Sequence, residues 1–233
     1  MNKIKQYVTA VILAAGVGSR MGVDLPKQRI KLLEKSLLAR TVESFFACPD
    51  IDDIIVVTRD EDVDFVNREL HFAAKKIHMI VSGGSSRLES SCIGFANVPE
   101  QTTHVAIHDG ARCLIDSRDI SRVVSSAVNY GAASAVKKVT DTVKIIEDGN
   151  IKRTIPRDSL MLAQTPQVFE RSLFERALRN KSQLDSVTDD NMLVESIGVD
   201  IKAVELLYEN PKITYAKDLC YAEFLLKRRE EDG

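Results

Sequence analysis

The chain has 233 residues, 44% of them apolar, and a formal net charge of −2 at pH 7. That suffices for a core without disulfide or metal staples, and the balanced charge argues against a general nucleic-acid binder, which would show a basic excess. Four cysteines (Cys48, Cys92, Cys113, Cys220) without C-x-x-C spacing, and no apolar run of bilayer-spanning length, point to reduced thiols in a cytoplasmic protein.

The first apolar run, "VTAVILAA", reads as a strand. The preceding residues resemble a charged leader, but the run ends in a glycine turn without a cleavage site. Beyond that turn, "SLLARTVESFFAC" has helical period, with Leu37, Leu38, Val42, Phe45 and Phe46 on one face. Strand-like "DDIIVVT", helical "VDFVNRELHF", strand-like "HMIVSGG", helical "SRLESSCIGFANV" and strand-like "HVAIHDGAR" follow. The helix "DSRDISRVVSSAVNYG" closes on Gly131 before the strand "ASAVKKV". Short, continuously apolar strands alternating with helices predict an open, mostly parallel α/β sheet covered on both faces. Ligands of such sheets bind beyond the carboxyl ends of the strands. The segment "TDTVKIIEDGNIKRTIP" breaks the alternation and reads as a hairpin around "DGN". It carries few apolar residues and needs a surface to pack on, in its own domain or in another subunit. The tail "KRREEDG" reads as a solvated helix end.

The glycine turn belongs to "LAAGVGSRMGVDLPKQ", residues 13–28. A dinucleotide fingerprint requires G-x-G-x-x-G and an acidic residue about 20 positions later. Gly16 and Gly18 fit, but Met21 holds the third position and no such acid follows; no G-K-[ST] completes a P-loop either. What remains is a loop whose backbone N–H groups can approach an anion, with two cations, Arg20 and Lys27, the second placed by Pro26. This equipment suits phosphoryl or nucleotidyl transfer better than hydride transfer.

The stretch resembles the signature loop of sugar-phosphate nucleotidyltransferases. With "GGSSRLESS", "HDGAR", "VTDTVK", "QTPQVF", "TDDNMLVE" and "NPKIT", it is similar in order to the motifs of the 2-C-methyl-D-erythritol 4-phosphate cytidylyltransferases. The resemblance covers nearly the whole chain. It implies a Rossmann-like α/β fold forming one nucleotidyltransferase domain over 1–233, with a projecting β-arm at about 139–158 that builds a homodimer. It also implies transfer of CMP from CTP to methylerythritol phosphate with release of pyrophosphate, in non-mevalonate isoprenoid precursor synthesis. Mg²⁺ is expected with the triphosphate, held mainly by phosphate oxygens.

By motif position, Arg20 and Lys27 match transition-state stabilisers, and Arg157 and Lys212 match the residues that position the sugar phosphate. Nucleotide contacts would come from Ala14, Ala15, Gly16, Gly18, Gly84 and Ser90. Asp109, Arg112, Thr142 and Thr188 match contacts to ribose or the second substrate. His108, opposite Asp109 in an alternating strand, reads as packed structure. Cys113 stands where the family usually has proline, and Ser85, Leu88 and Glu89 depart from its usual motif, which bears on nucleoside contacts. Two alternatives remain. A ribitol 5-phosphate cytidylyltransferase would carry bulkier residues where this chain has Gly110 and Ala111. A non-catalytic nucleotide-sensing module would have little need for all four cations.

Overall fold

The computed structural model describes residues 6–16, 18, 26–181 and 186–231. In chain order it contains β1 (Val8–Leu13), β2 (Lys31–Leu32), β3 (Lys35–Ser36), α1 (Leu37–Ala47), β4 (Asp53–Thr58), α2 (Val63–Glu69), β5 (Ile77–Ser82) and α3 (Arg87–Ala96). Then come β6 (His104–Asp109), α4 (Ser117–Tyr130), β7 (Ala132–Lys138), β8 (Val143–Glu147), β9 (Asn150–Ile155) and β10 (Met161–Glu170). The chain continues through α5 (Arg171–Arg179), α6 (Asp190–Glu195), β11 (Lys202–Glu205) and α7 (Ala216–Glu231).

Three of the four expected helices are set by local signals. The Ser36 hydroxyl accepts from the Ala39 N–H at 3.0 Å and starts α1, and Ser86 does the same for α3 through Glu89 at 3.0 Å. The Asp116 carboxylate caps α4 through the Arg118 N–H at 2.9 Å, and Gly131 ends it with φ 85°.

A seven-stranded sheet runs in the order β11-β7-β10-β6-β1-β4-β5. β6, β1, β4 and β5 are parallel, as expected, whereas β10 is antiparallel to both β6 and β7. Successive residues of β1 enter opposite layers. Ala10 and Ile12 join Leu38, Val42 and Phe45 of α1 and Ile120 and Val123 of α4. Val11 joins Phe174 of α5 and Leu193 of α6, with Phe95 of α3 packed alongside. A third cluster holds Leu32, Leu37, Cys113, Leu114, Ile213 and Ala222, and binds α7 to the segment after β6. Cys113 is therefore buried packing.

Among the described residues β8 and β9 pair only with each other, around Asp148 (φ 49°) and Gly149 (φ 76°). Positive φ at both central residues is the mark of the tight hairpin turn expected from "DGN". Ile146 and Ile151 on this hairpin are 55% and 66% exposed. Among the described residues no helix is long and apolar enough to cross a membrane.

Candidate active site

Three parallel strands end at one cavity of about 510 Å³. Ala14, Ala15 and Gly16 follow β1, the Gly83–Gly84 turn follows β5, and Asp109 closes β6. Backbone bonds prolong the sheet into this rim: Ala14 N–H to the Val57 carbonyl at 2.7 Å, Gly83 to Thr58 at 2.7 Å, and Gly110 to Leu13 at 2.8 Å. Small residues are required here by contact. A Cβ on Gly83 would lie 2.6 Å from the Ala15 Cβ and 2.8 Å from the Ser90 Oγ. Ser90 accepts from the Gly84 N–H at 3.1 Å, folding the turn onto α3. Within the same motif, Glu89 accepts from both the Ser85 N–H and the Ser85 hydroxyl at 2.7 Å.

Lys27 reaches the same cavity from the 3-10 turn Lys27–Arg29, against Gly18. Gly18 has φ 70°, and a Cβ there would stand 2.8 Å from the Lys27 Cβ. Lys212 arrives from the segment ahead of α7, which is tied down by Ile213 N–H to the Ala111 carbonyl at 2.9 Å. Asp109 is the one carboxylate on the cavity wall among the described residues. It accepts from Arg87 Nε at 3.0 Å and pairs with Lys212 Nζ at 2.7 Å, with Arg112 Nε at 3.9 Å. Burial opposes its ionisation, but the charges of Arg87, Lys212 and Arg112 outweigh that and hold the carboxyl well below its ordinary range.

Arg87 extends this network inward. Its Nη1 donates to Asp190 Oδ2 at 2.8 Å, and Asp190 also accepts from the Ser91 hydroxyl at 2.6 Å. Burial pushes Asp190 up, against the pull of Arg87 and Ser91. His108 is packed structure, as its strand position implies. Its Nε2 faces the Arg112 carbonyl oxygen at 3.2 Å, so Nε2 carries the proton and Nδ1 accepts from the Thr165 hydroxyl at 3.1 Å. Thr165 Oγ1 accepts in turn from the Asp109 N–H at 3.1 Å, so the buried ring fixes the backbone of the cavity carboxylate.

Ala14, Ala15, Gly16, Gly18, Lys27, Gly84, Ser90, Asp109 and Lys212 thus line one space. Arg112 sits behind Asp109 and donates to the Asn210 carbonyl at 2.9 Å. Thr142 and Arg157 are exposed at the base of the β8–β9 hairpin, where Arg157 donates to the Thr140 carbonyl; neither lines the cavity. Thr188 is exposed before α6, its hydroxyl directed to Met192 Sδ at 3.1 Å, and it also lies off the cavity wall. Arg20 lies outside the described residues. Arg87, Arg59 and Gln28 line the cavity without having been singled out from the sequence. Arg87 had a signal, standing between the glycine turn and Ser90 in "GGSSRLESS".

A parallel sheet whose glycine-bearing turns and converging cations enclose one cavity at its carboxyl edge defines a nucleotide-handling α/β enzyme. The sequence profile of the 2-C-methyl-D-erythritol 4-phosphate cytidylyltransferases matches residues 8–228, and the chain belongs to that family. The enzyme of that name from Clostridioides difficile (strain 630) is 39% identical over 230 residues, covering 96% of this chain and 95% of the relative. The one from Desulforamulus reducens is 39% identical over 227 residues, covering 95% and 97%. The crystal structure of 4-diphosphocytidyl-2C-methyl-D-erythritol synthase from Anaerococcus prevotii DSM 20548 superposes with a TM-score of 0.85 at 30% identity, covering 95% of this chain and 96% of that one. The Thermus thermophilus cytidylyltransferase gives 0.76 at 26% identity, covering 95% and 100%.

Proposed function

We infer that the chain transfers CMP from CTP to 2-C-methyl-D-erythritol 4-phosphate and releases pyrophosphate. Family membership over residues 8–228 supports the reaction. The observation that carries its placement is the convergence of Lys27, Lys212 and Arg87 from three separate parts of the chain on one cavity.

The acceptor's phosphate oxygen is already anionic near neutral pH, so attack on the α-phosphorus needs no strong general base. Catalysis then rests on alignment and on donors facing the charge that builds on the reacting phosphoryl group. The small residues at 14–16 and 83–84 let the nucleoside lie against the backbone, with Ser90 at the base and ribose. Lys27, with Arg20, neutralises the phosphates, each such donor contributing about 3–4 kcal/mol to the transition state. Lys212 is held ready by Asp109 and, with Arg157, orients the acceptor phosphate; Arg112, Thr142 and Thr188 complete contacts to the substrates.

A single wall carboxylate suits a divalent ion that takes most of its ligands from phosphate and water. Asp109, kept ionised by its cationic neighbours, is the residue here that would hold Mg²⁺ together with the triphosphate. When bound, the ion adds charge neutralisation at the phosphates.

The β8–β9 hairpin, part of the arm at about 139–158, completes the site of a second copy in a homodimer. The hairpin's exposed isoleucines and its lack of any partner strand in its own sheet support this. The position of Thr142 and Arg157 at its base, off the cavity wall of their own subunit, supports it too. Residues 1–233 act as one nucleotidyltransferase domain, in the cytoplasm.

The test is pyrophosphate release from CTP with Mg²⁺, offering methylerythritol phosphate and ribitol 5-phosphate separately. Turnover with the first acceptor is expected. Preference for the second reassigns the substrate, and CTP binding without pyrophosphate from either acceptor leaves a nucleotide sensor.

A further inference from the structure

Asp62 belongs to no motif singled out above, yet it is a fully buried carboxylate bonded to two residues of the cavity wall, Gln28 and Arg59. It ends the 3-10 turn Asp60–Asp62, between β4 and α2. Its oxygens accept from Arg59 Nε at 2.9 Å and Nη2 at 2.7 Å, from Arg29 Nε at 2.6 Å, and from Gln28 Nε2. Gln28 and Arg29 directly follow Lys27 in its 3-10 turn. Arg29 is held further by the Glu61 carbonyl at 3.2 Å and by the face of Phe65, 4.9 Å from its guanidinium carbon. Gln28 and Arg59 themselves line the cavity.

A buried carboxylate shared by two guanidiniums and an amide has one low-energy arrangement, and moving any partner leaves charge uncompensated. Burial opposes ionisation of Asp62, but hydrogen bonds from Arg59 and Arg29 outweigh it and keep its carboxyl below the ordinary range. The turn is thereby bolted to the end of β4 at the two residues after its lysine, while Gly18 backs the lysine itself. We infer that Asp62 is a positioning residue for Lys27, fixing through Gln28 and Arg29 where the ammonium meets the phosphates. This rests on the role given to Lys27 under Proposed function.

The test uses the full chain with CTP, Mg²⁺ and methylerythritol phosphate. Asp62→Asn and the milder Gln28→Leu, which buries no uncompensated charge, are each made with Lys27 present and with Lys27→Ala. With Lys27 present, each variant should lower kcat by about 10- to 100-fold, the scale of a misplaced catalytic group. KM for CTP should stay within about threefold, because binding is not the quantity lost. In the Lys27→Ala background the further loss should fall below about twofold. A normal Lys27→Ala defect with additive losses in both backgrounds, or with kcat unchanged in both variants, overturns the inference alone. Wild-type turnover in Lys27→Ala overturns the role of Lys27 and the inference with it.

Discussion

Arg87 joins two carboxylates whose side chains are nearly closed to solvent, Asp109 at 11% and Asp190 at 0% exposure, while its own is 26% exposed. Arg87→Met keeps the length and removes the charge, leaving Asp190 with only the Ser91 hydroxyl and Asp109 with Lys212 and Arg112. Breaking a buried pair in this way costs about 3–5 kcal/mol. For a domain of this size each kcal/mol lowers Tm by about 2–4 °C, so a fall of about 6–20 °C is expected by calorimetry at neutral pH. Adding Asp190→Asn removes the stranded charge and should restore more than about half of the loss, a strongly non-additive cycle. Burial already raises the folded pKa of Asp190 above its unfolded value, and in the single variant, without the Arg87 charge, it rises further. The variant's stability is then present at low pH and lost as pH rises, so its deficit should widen as pH rises above about 4, the ordinary carboxylate value. A Tm change below about 3 °C, or additive losses in the double variant, would refute the reasoning that Arg87 is what makes these carboxylates tolerable.

Lys212→Ala should lower kcat/KM by about 100-fold, the cost of a misplaced acceptor phosphate, while Tm barely moves because Asp109 keeps Arg87; comparable losses of Tm and activity in parallel denaturation and turnover measurements would make Lys212 structural. Mixing strongly impaired Arg157→Ala with strongly impaired Lys27→Ala under conditions that exchange subunits should restore about a quarter of wild-type activity, since half the dimers are mixed and each mixed dimer owns one intact site. No recovery despite exchange, followed by native mass spectrometry, would mean that the hairpin serves its own subunit. Burial holds the His108 imidazole down at about 3 and lowers His104 as well, so the unfolded chain binds more protons below about pH 6.5. His108 should therefore cost stability as pH drops from about 6.5 towards 3, by up to about 1.4 kcal/mol per unit, and His104 acts in the same direction; His108→Gln should flatten Tm between about pH 6.5 and 5, and an unchanged slope would show that the ring titrates freely.

The parts of the fold visible in the sequence are those whose physics is one-dimensional. β1, β4 and β6 are buried on both faces and read as short, mainly apolar runs, and Ser36, Ser86 and Gly131 mark helix ends within a residue or two of the elements they terminate. The hairpin was visible because Asp148 and Gly149 must both take positive φ. β10 was not, although it lies between β6 and β7 near the middle of the sheet. Its buried centre is polar, with Gln164, Thr165 and Gln167 all under cover and Pro166 among them, so neither hydrophobicity nor alternation announces it.

Those polar groups are affordable only because distant parts of the chain satisfy them. The Asn210 amide donates to the Thr165 carbonyl at 3.0 Å, and Gln167 donates to Asp189 at 2.7 Å while accepting from the Asp190 N–H at 2.9 Å. The site was half legible for the same reason. Glycines and lysines in tight motifs declare an anion loop, but nothing along the chain says that residues 87, 112 and 212 surround one carboxylate, or that 62 anchors 27 and its neighbours. These convergences depend on β6 lying between β1 and β10, a fact of topology that spacing does not encode. The residues that hide β10 from a hydrophobic reading are therefore the ones that hold the cavity: Gln167 places the start of α6, α6 supplies Asp190 to Arg87, and Thr165 orients Asp109 through its backbone. A substitution that made β10 look like a better strand, such as Gln167→Val, would strand the N–H groups of residues 190 and 191 and loosen Arg87 behind the cavity carboxylate.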